Sequence, residues 1–428
     1  QDLLLTYTYG AVGPVGAHPV SYPALPKEFD PALPSIYFKD VVLRNPAKRL
    51  QDVLKTALED ARAAAAGNTP KTAIVIEIQD SRTHSLDIDL LNSADLNNEL
   101  GRSVLLTCPL IIRAADGERP IIELARPFAF RPAKVIGANA EEQKALDAQM
   151  NALFVRLEGL YLARGLNYGA GQPLISRAAI NKLEIISCTL DPGGFRHFNG
   201  DRAPLLRGMD LREPYGFSGV AEELAFKQTP EIILQRSISG AIFTDEGYTL
   251  CLADSIVESI PVMVGSKTFP FAITSATSPA TGYAGATMIR NVTVLGRVRA
   301  VSTEGAGGIF TGVVEVFDQQ KGCLKYCYFA EDTASPPPPN EVKNRLPPHF
   351  ACVDGSDARL IFTSDYFGDP AYCQLSLESD PRIFEEGVDN DQMGAFNFLL
   401  EAHKWRNLKI RFREFMPVGI RPLLIPVS

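Results

Sequence analysis

Ile238-Ser-Gly240-Ala-Ile242, Val294-Leu-Gly296-Arg-Val298 and Phe310-Thr-Gly312-Val-Val314 share one pattern of apolar, any, Gly, any, apolar, and Ile256-Val-Glu-Ser-Ile260 keeps it without the glycine. Their first residues lie 18, 38 and 16 apart, the middle gap being about two of the outer ones. Separations near 18 are too short for a propeller blade or a helical repeat. They suit one short-sided coil of a parallel β-solenoid, whose equivalent residues stack about 4.8 Å apart. In that reading Ile238, Ile256, Val294 and Phe310 point inward as one ladder. The recurrent glycine turns the backbone at a strand corner where a Cβ would clash. The competing reading is a sandwich with aligned hairpins. Sandwich strands favour Asn-Gly or Asp-Gly turns, which are scarce here apart from Ala115-Asp-Gly117 and Val353-Asp-Gly355.

Working outward, residues 1–40 carry Pro14, Pro19, Pro23, Pro26, Pro31 and Pro34 and read as an extended arm or linker. The single solenoid domain then spans 41–428. Asn45-Pro46 supplies an N-cap with proline at the first helical position, and Leu50, Val53, Leu54, Ala57, Ala61 and Ala64 repeat at helical spacing until Gly67 and Pro70. Short strands follow over 73–78, 86–90, 104–106, 110–112 and 121–124 with no long helix between them, which excludes βαβ winding. A solenoid's ends need covering. The helix after Pro46 is placed to cap the first coil, and the stretch with Met393, Phe396, Leu400, Leu408, Phe412 and Phe415 to cap the last. Insertions near 130–152, 191–230 and 334–350 interrupt the coils, the first with a polar helix around Ala140 to Met150. The fold class is therefore all-β, a parallel β-solenoid with N- and C-terminal capping helices.

The 428 residues carry 42 Lys and Arg against 50 Asp and Glu, a net charge of −8, with 46% apolar residues. That balance disfavours nucleic acid and anionic membranes, both of which need a basic face, and no apolar run is long enough to insert into a bilayer. The chain opens at Gln1 without the positive region of a secretory signal, and reads as part of a longer chain. The seven cysteines are odd in number and lie mostly in apolar stretches, so they read as small buried hydrophobes; Cys323 and Cys327 lack a second pair at zinc spacing, and no metal or cofactor is expected.

The helix leading to Ile74-Val-Ile-Glu-Ile-Gln-Asp-Ser81, then Leu110-Ile-Ile-Arg-Ala-Ala-Asp-Gly-Glu-Arg-Pro120, resembles the opening coil of the pectate-lyase-like β-helix superfold. More particular are Leu183-Glu-Ile-Ile-Ser-Cys-Thr-Leu190, Ala253-Asp-Ser-Ile-Val257, Gly308-Ile-Phe-Thr-Gly-Val-Val314, the run Phe362 to Leu375 and Gln392-Met-Gly-Ala-Phe396. Together, over roughly 46–428, they resemble a bacterial β-helix family of unknown function found near phage-tail-like contractile injection genes. The resemblance implies the right-handed form of the solenoid, a right-handed parallel β-helix, and a particle component made in the bacterial cytoplasm, then released or surface-associated with the particle.

Enzymes of this superfold cleave polysaccharides with paired carboxylates, or with a carboxylate-held calcium and an arginine base. This chain has no Asp-Asp, no Gly-His-Gly and no Gly-Arg-Pro-Trp, and its one Trp, Trp405, falls in the expected cap. Asp245, Glu246, Asp254 and Glu258 are the carboxylates that stacked coils can bring together, and they read as solvated turn residues. The run Glu385-Glu-Gly-Val-Asp-Asn-Asp391 lacks the spacing of a calcium loop and reads as negative charge capping a following helix. His18, His84, His197, His349 and His403 are scattered and read as surface or loop side chains. Candidate binding residues cluster in the 191–230 insertion: Arg196, Phe198, Arg207, Arg212, Tyr215 and Phe217, with Phe195 and Arg202 beside them. The expected function is non-enzymatic, a structural or attachment part contacting other particle subunits or further copies. The alternative is a polysaccharide-binding or polysaccharide-cleaving protein acting on cell-surface glycans.

Overall fold

The computed structural model describes residues 15–19, 21, 24–67, 69–91, 102–134, 139–212, 229–330 and 344–420. Each strand pairs with the equivalent strand one circuit along the chain, and all pairings between named strands are parallel except Ile260–Val264 with Lys267–Thr274. Three ladders result. The first runs from Ile36–Val41 through Ala73–Ile78, Leu110–Ala114, Phe154–Glu158, Lys182–Ile186 and Glu231–Gln235 to His349–Phe350. The second runs from Thr83–Leu86 through Ile121–Leu124, Tyr161–Arg164, Thr189–Leu190 and Ile238–Ser239 to Val353–Asp354. The third runs from Val104–Leu106 through Phe128–Pro132, Ile175–Ala178, Arg207–Leu211 and Ala241–Thr244 to Val314–Val316. The chain visits the three sheets in turn, giving a solenoid-like stack of three-sided coils. Inward residues such as Ile74, Ile112, Leu157, Ile185, Leu234 and Leu252 fill one continuous core.

The shortest coils have the lengths read from the sequence: Ser255 lies 18 residues after Ser237, and Glu315 lies 16 after Arg299, one coil on in each case. The middle gap is a correction. It holds one coil, with Asn291 37 residues after Asp254, lengthened by the Ile260–Val264 and Lys267–Thr274 hairpin. Ile256 therefore stands opposite Thr293, and Val257 opposite Val294. A slip of one residue moves a side chain to the other face of a sheet, so the expected inward ladder is split. Val257, Val294 and Phe310 lie in the core, while Ile238 and Ile256 point outward into a separate cluster with Val15, Ala395 and Phe396. The repeat glycines act as anticipated: a Cβ on Gly240 would meet the Leu206 carbonyl oxygen at 2.0 Å, and one on Gly312 the Gly296 backbone at 2.5 Å.

The outward row Thr189, Ile238, Ile256, Thr293, Ile309, Tyr328 and Val353 is covered by a lateral layer. The chain from Ala358 to Phe396 supplies most of it, and the Ala395 N–H donates to Thr293 Oγ1 at 3.1 Å. Val15–Ala17 supplies the rest, the Gly16 N–H donating to the Arg236 carbonyl at 2.7 Å and that of Ala17 to Thr189 Oγ1 at 2.8 Å. Two parts of the expected arm are thus built into the body, the second being Ile36–Val41, a proline-free run that forms the first strand.

Helix α1 (Leu50–Ala66) buries Leu50, Val53, Leu54, Ala57, Leu58 and Ala61 against the first coil, as expected of a cap. Helix α2 (Ala140–Ala152) fills the first insertion. The short α3 (Pro381–Glu385), capped by Asp380, belongs to the lateral layer. Helix α4 (Glu401–Phe415) is not the expected end cap: only Ala402 is buried in it. Its apolar periodicity is broken at Leu400, whose φ of 56° stops the preceding turn, so Met393 and Phe396 pack sideways while Leu408, Phe412 and Phe415 stay at the surface. The other two insertions also need correction. Arg207–Leu211 and His349–Phe350 are strands of the solenoid inside them, the first disguised by the charges of Arg207 and Asp210. Residues 213–228 and 331–343 of these insertions lie outside the described residues.

Candidate interaction site

Between the second and third sheets of one coil the chain leaves as a loop, Asp191 to Leu206, closed at its base by the Leu206 N–H donating to the Pro192 carbonyl at 2.7 Å. Opposed main-chain bonds fold it on itself: the Ala203 N–H donates to the Phe195 carbonyl, and that of His197 to Asp201, both at 2.8 Å. Its root is fixed by side-chain hydrogen bonds. Arg202 Nη2 donates to Glu258 Oε1 at 2.8 Å and to the Asp365 carbonyl at 2.9 Å, while the Tyr372 hydroxyl donates to the same carboxylate oxygen at 2.8 Å. Glu258 is buried, and burial pushes its carboxyl pKa up against the opposing pull of Arg202 and Tyr372. The Arg196 guanidinium lies over the Tyr366 ring at 4.1 Å and pairs with Asp369 at 3.1 Å. The loop is thus clamped to the lateral layer.

At the tip the arrangement changes. Phe198 is 95% exposed, Phe195 is 47% exposed, and the His197 ring stands edge-on to Phe195 at 5.0 Å. A stem clamped in this way leaves little loop entropy to be lost should the exposed ring be covered.

Of the six expected binding residues, the structure brings Arg196 and Phe198 into this loop, the first turned inward to Tyr366 and the second outward. Arg207 is a strand residue that pairs with Asp210 and covers the Phe243 ring at 4.5 Å, so it supports the wall instead of facing a partner. Arg212 is exposed at the end of that strand. Tyr215 and Phe217 lie outside the described residues. The residues that sequence reasoning missed, Tyr366, Asp369 and Tyr372, come from more than 100 positions away.

The four carboxylates considered for catalysis do not share a cleft. Asp254 sits at the corner between the first and second sheets, Glu258 beyond the second and Asp245 beyond the third. Three of them are buried, not solvated as expected. Asp245 accepts from Ser275 Oγ at 2.9 Å and Thr277 Oγ1 at 2.6 Å, and Asp254 from Asn291 Nδ2 at 3.3 Å. His84 is likewise buried, bonded to Asp80 at 2.8 Å. The acidic run does cap a helix: Asp391 accepts from the Ala402 and His403 N–H groups, although that helix begins at Glu401 and not near Met393. Among the described residues no group of three or more His, Cys, Asp or Glu is arranged to hold a metal ion, and no helix is long and apolar enough to cross a membrane. No family model, curated protein or solved structure matches this chain.

Proposed function

We propose that this protein is a non-enzymatic structural or attachment component of a phage-tail-like particle, built as a right-handed β-helix. The handedness follows from the rule that crossovers between parallel strands of one sheet wind right-handed in nearly every case. The observation that carries the functional reading is the clamped 191–206 loop with Phe198 held in solvent at 95% exposure. The carboxylates that would serve catalysis are meanwhile engaged internally at separate corners. Anchors of this type contribute about 2 kcal/mol or more each. Phe198→Ala is therefore expected to weaken capture of neighbouring particle subunits by about 30-fold without moving the thermal midpoint. Unchanged incorporation of the variant into particles would remove this loop as the contact.

A second reading, glycan binding, is favoured by a cleft of about 500 Å³ lined by Trp405, Phe396, Gln374, Glu378 and Thr363. An aromatic face beside amide, hydroxyl and carboxylate groups suits a sugar ring. Quenching or blue shift of the Trp405 fluorescence on a panel of bacterial surface polysaccharides tests it, and Trp405 is the sole tryptophan. Release of reducing ends from any of them would overturn the non-enzymatic reading.

A further inference from the structure

Helix α4 has an uncovered face. Leu408, Phe412, Phe415 and Met416 recur at three- and four-residue spacing on one side, and Phe415 is 84% exposed. Five basic side chains and two acidic ones ride on this helix, although the whole chain carries −8. Among the described residues no ion pair engages Lys409, Arg411 or Arg413. A surface complementary to it lies on the first coils. There the start of α1, the strands Thr83–Leu86 and Ile121–Leu124 and the turn after Tyr161–Arg164 enclose a groove of about 540 Å³. Three carboxylates line it, Asp52, Asp87 and Glu123, against one guanidinium, that of Arg49. Its apolar contribution is uncovered as well, Leu90 being 56% and Leu166 99% exposed.

We propose that α4 of one copy docks in the Asp52–Glu123 groove of a second copy, a head-to-tail contact that propagates along a file of molecules. Aromatic and leucine side chains of the helix meet Leu90 and Leu166, and its basic flanks meet the three carboxylates. The helix and the groove are different patches, so the contact is heterologous and leaves one helix and one groove unfilled at the ends of every file. It does not depend on the Phe198 loop, and its failure leaves the function proposed above untouched.

Sedimentation of the full chain over a range of concentration and salt tests the proposal. Self-association is expected, weakening by at least tenfold between 50 and 500 mM salt. Phe412→Asp in the helix and Leu166→Asp with Glu123→Lys in the groove are each expected to leave a monomer with an unchanged thermal midpoint. Mixing these two variants leaves one intact helix and one intact groove, so a 1:1 dimer that grows no further is expected. A chain monomeric at every concentration overturns the proposal, as does a mixture in which no dimer forms. Cosedimentation with phosphatidylserine vesicles, lost in Phe412→Asp while the protein alone stays monomeric, would assign the helix to lipid instead.

Discussion

At each turn from the first sheet into the second from Gly159 onward, one residue is left-handed: Gly159, Ser187, Arg236, Asp254, Asn291, Gly307, Tyr326 and Ala351, with φ between 47° and 77°. A side chain there costs roughly 1–2 kcal/mol, and the stacking of coils overrides that cost. The residue that follows points inward, and where it is Cys188, Ser237 or Ser255 its side chain accepts a main-chain N–H from the preceding coil. Polar atoms are thereby buried with partners, as burial requires. Glu258 is the more consequential buried group. Its carboxyl pKa is raised by burial above the unfolded value, so the folded protein holds that proton longer. The stability it contributes is complete below the unfolded value and is lost as pH rises through the folded one. In Glu258→Gln this dependence disappears. Urea midpoints between pH 3.5 and 7.5 are expected to decline with pH more steeply in the parent protein than in the variant. Equal slopes would show that Glu258 titrates as it does in the unfolded chain.

Among the elements, the inward ladder of the second sheet shows how rows, more than single contacts, hold the coils together. Val257, Val294, Phe310 and Phe329 stand in register, and the last two rings stack at 5.5 Å with an interplanar angle of 6°. Phe310→Ala leaves a cavity between two coils that cannot approach each other, since their spacing is set by main-chain bonds. A loss of about 3–5 kcal/mol is expected from denaturant unfolding, and a loss under about 1 kcal/mol would place Phe310 outside the load of the core. The spacing of 18 and 16 residues carried enough information for coil length, and the α1 periodicity for its cap. Register was not legible because Ile256 and Val257 are both buried, the first under the lateral layer and the second in the core. A strand covered on both faces loses the alternation that fixes its direction. Arg196, Phe198 and Arg202 stood out as an aromatic and basic cluster, while the clamp of Arg196 on Tyr366 and Asp369 and of Arg202 on Glu258 joins residues far apart in sequence and left no local sign.

For the molecule as a whole, the question is what closes the solenoid, and the sequence suggested its C-terminal stretch as an end cap. The structure divides that stretch into two parts with different work. Residues from Asp391 to Phe396 lie along the flank over Ile238, Ile256, Thr293 and Ile309, whereas α4 buries only Ala402. Uncovering the flank returns apolar side chains to water at about 1.5–3 kcal/mol each and leaves the buried Asn291 amide without its Asn397 partner. Removing α4 uncovers the Asp391 carboxylate, which water solvates readily, and the Trp405 side of one cleft, and it releases the Arg406 bonds to Glu385 and Asn390. Two shortened chains separate these effects. One ending at Leu400 is expected to stay monodisperse in size exclusion, with a stability within about 2 kcal/mol of the full chain, since the lost helix buries only Ala402 and its part-exposed ion pairs contribute about 0–1 kcal/mol each. One ending at Asn390 is expected to aggregate and bind a hydrophobic dye. Aggregation of the Leu400 chain would restore α4 as the closure of the solenoid's end, and a soluble, fully stable Asn390 chain would show that the lateral layer is dispensable.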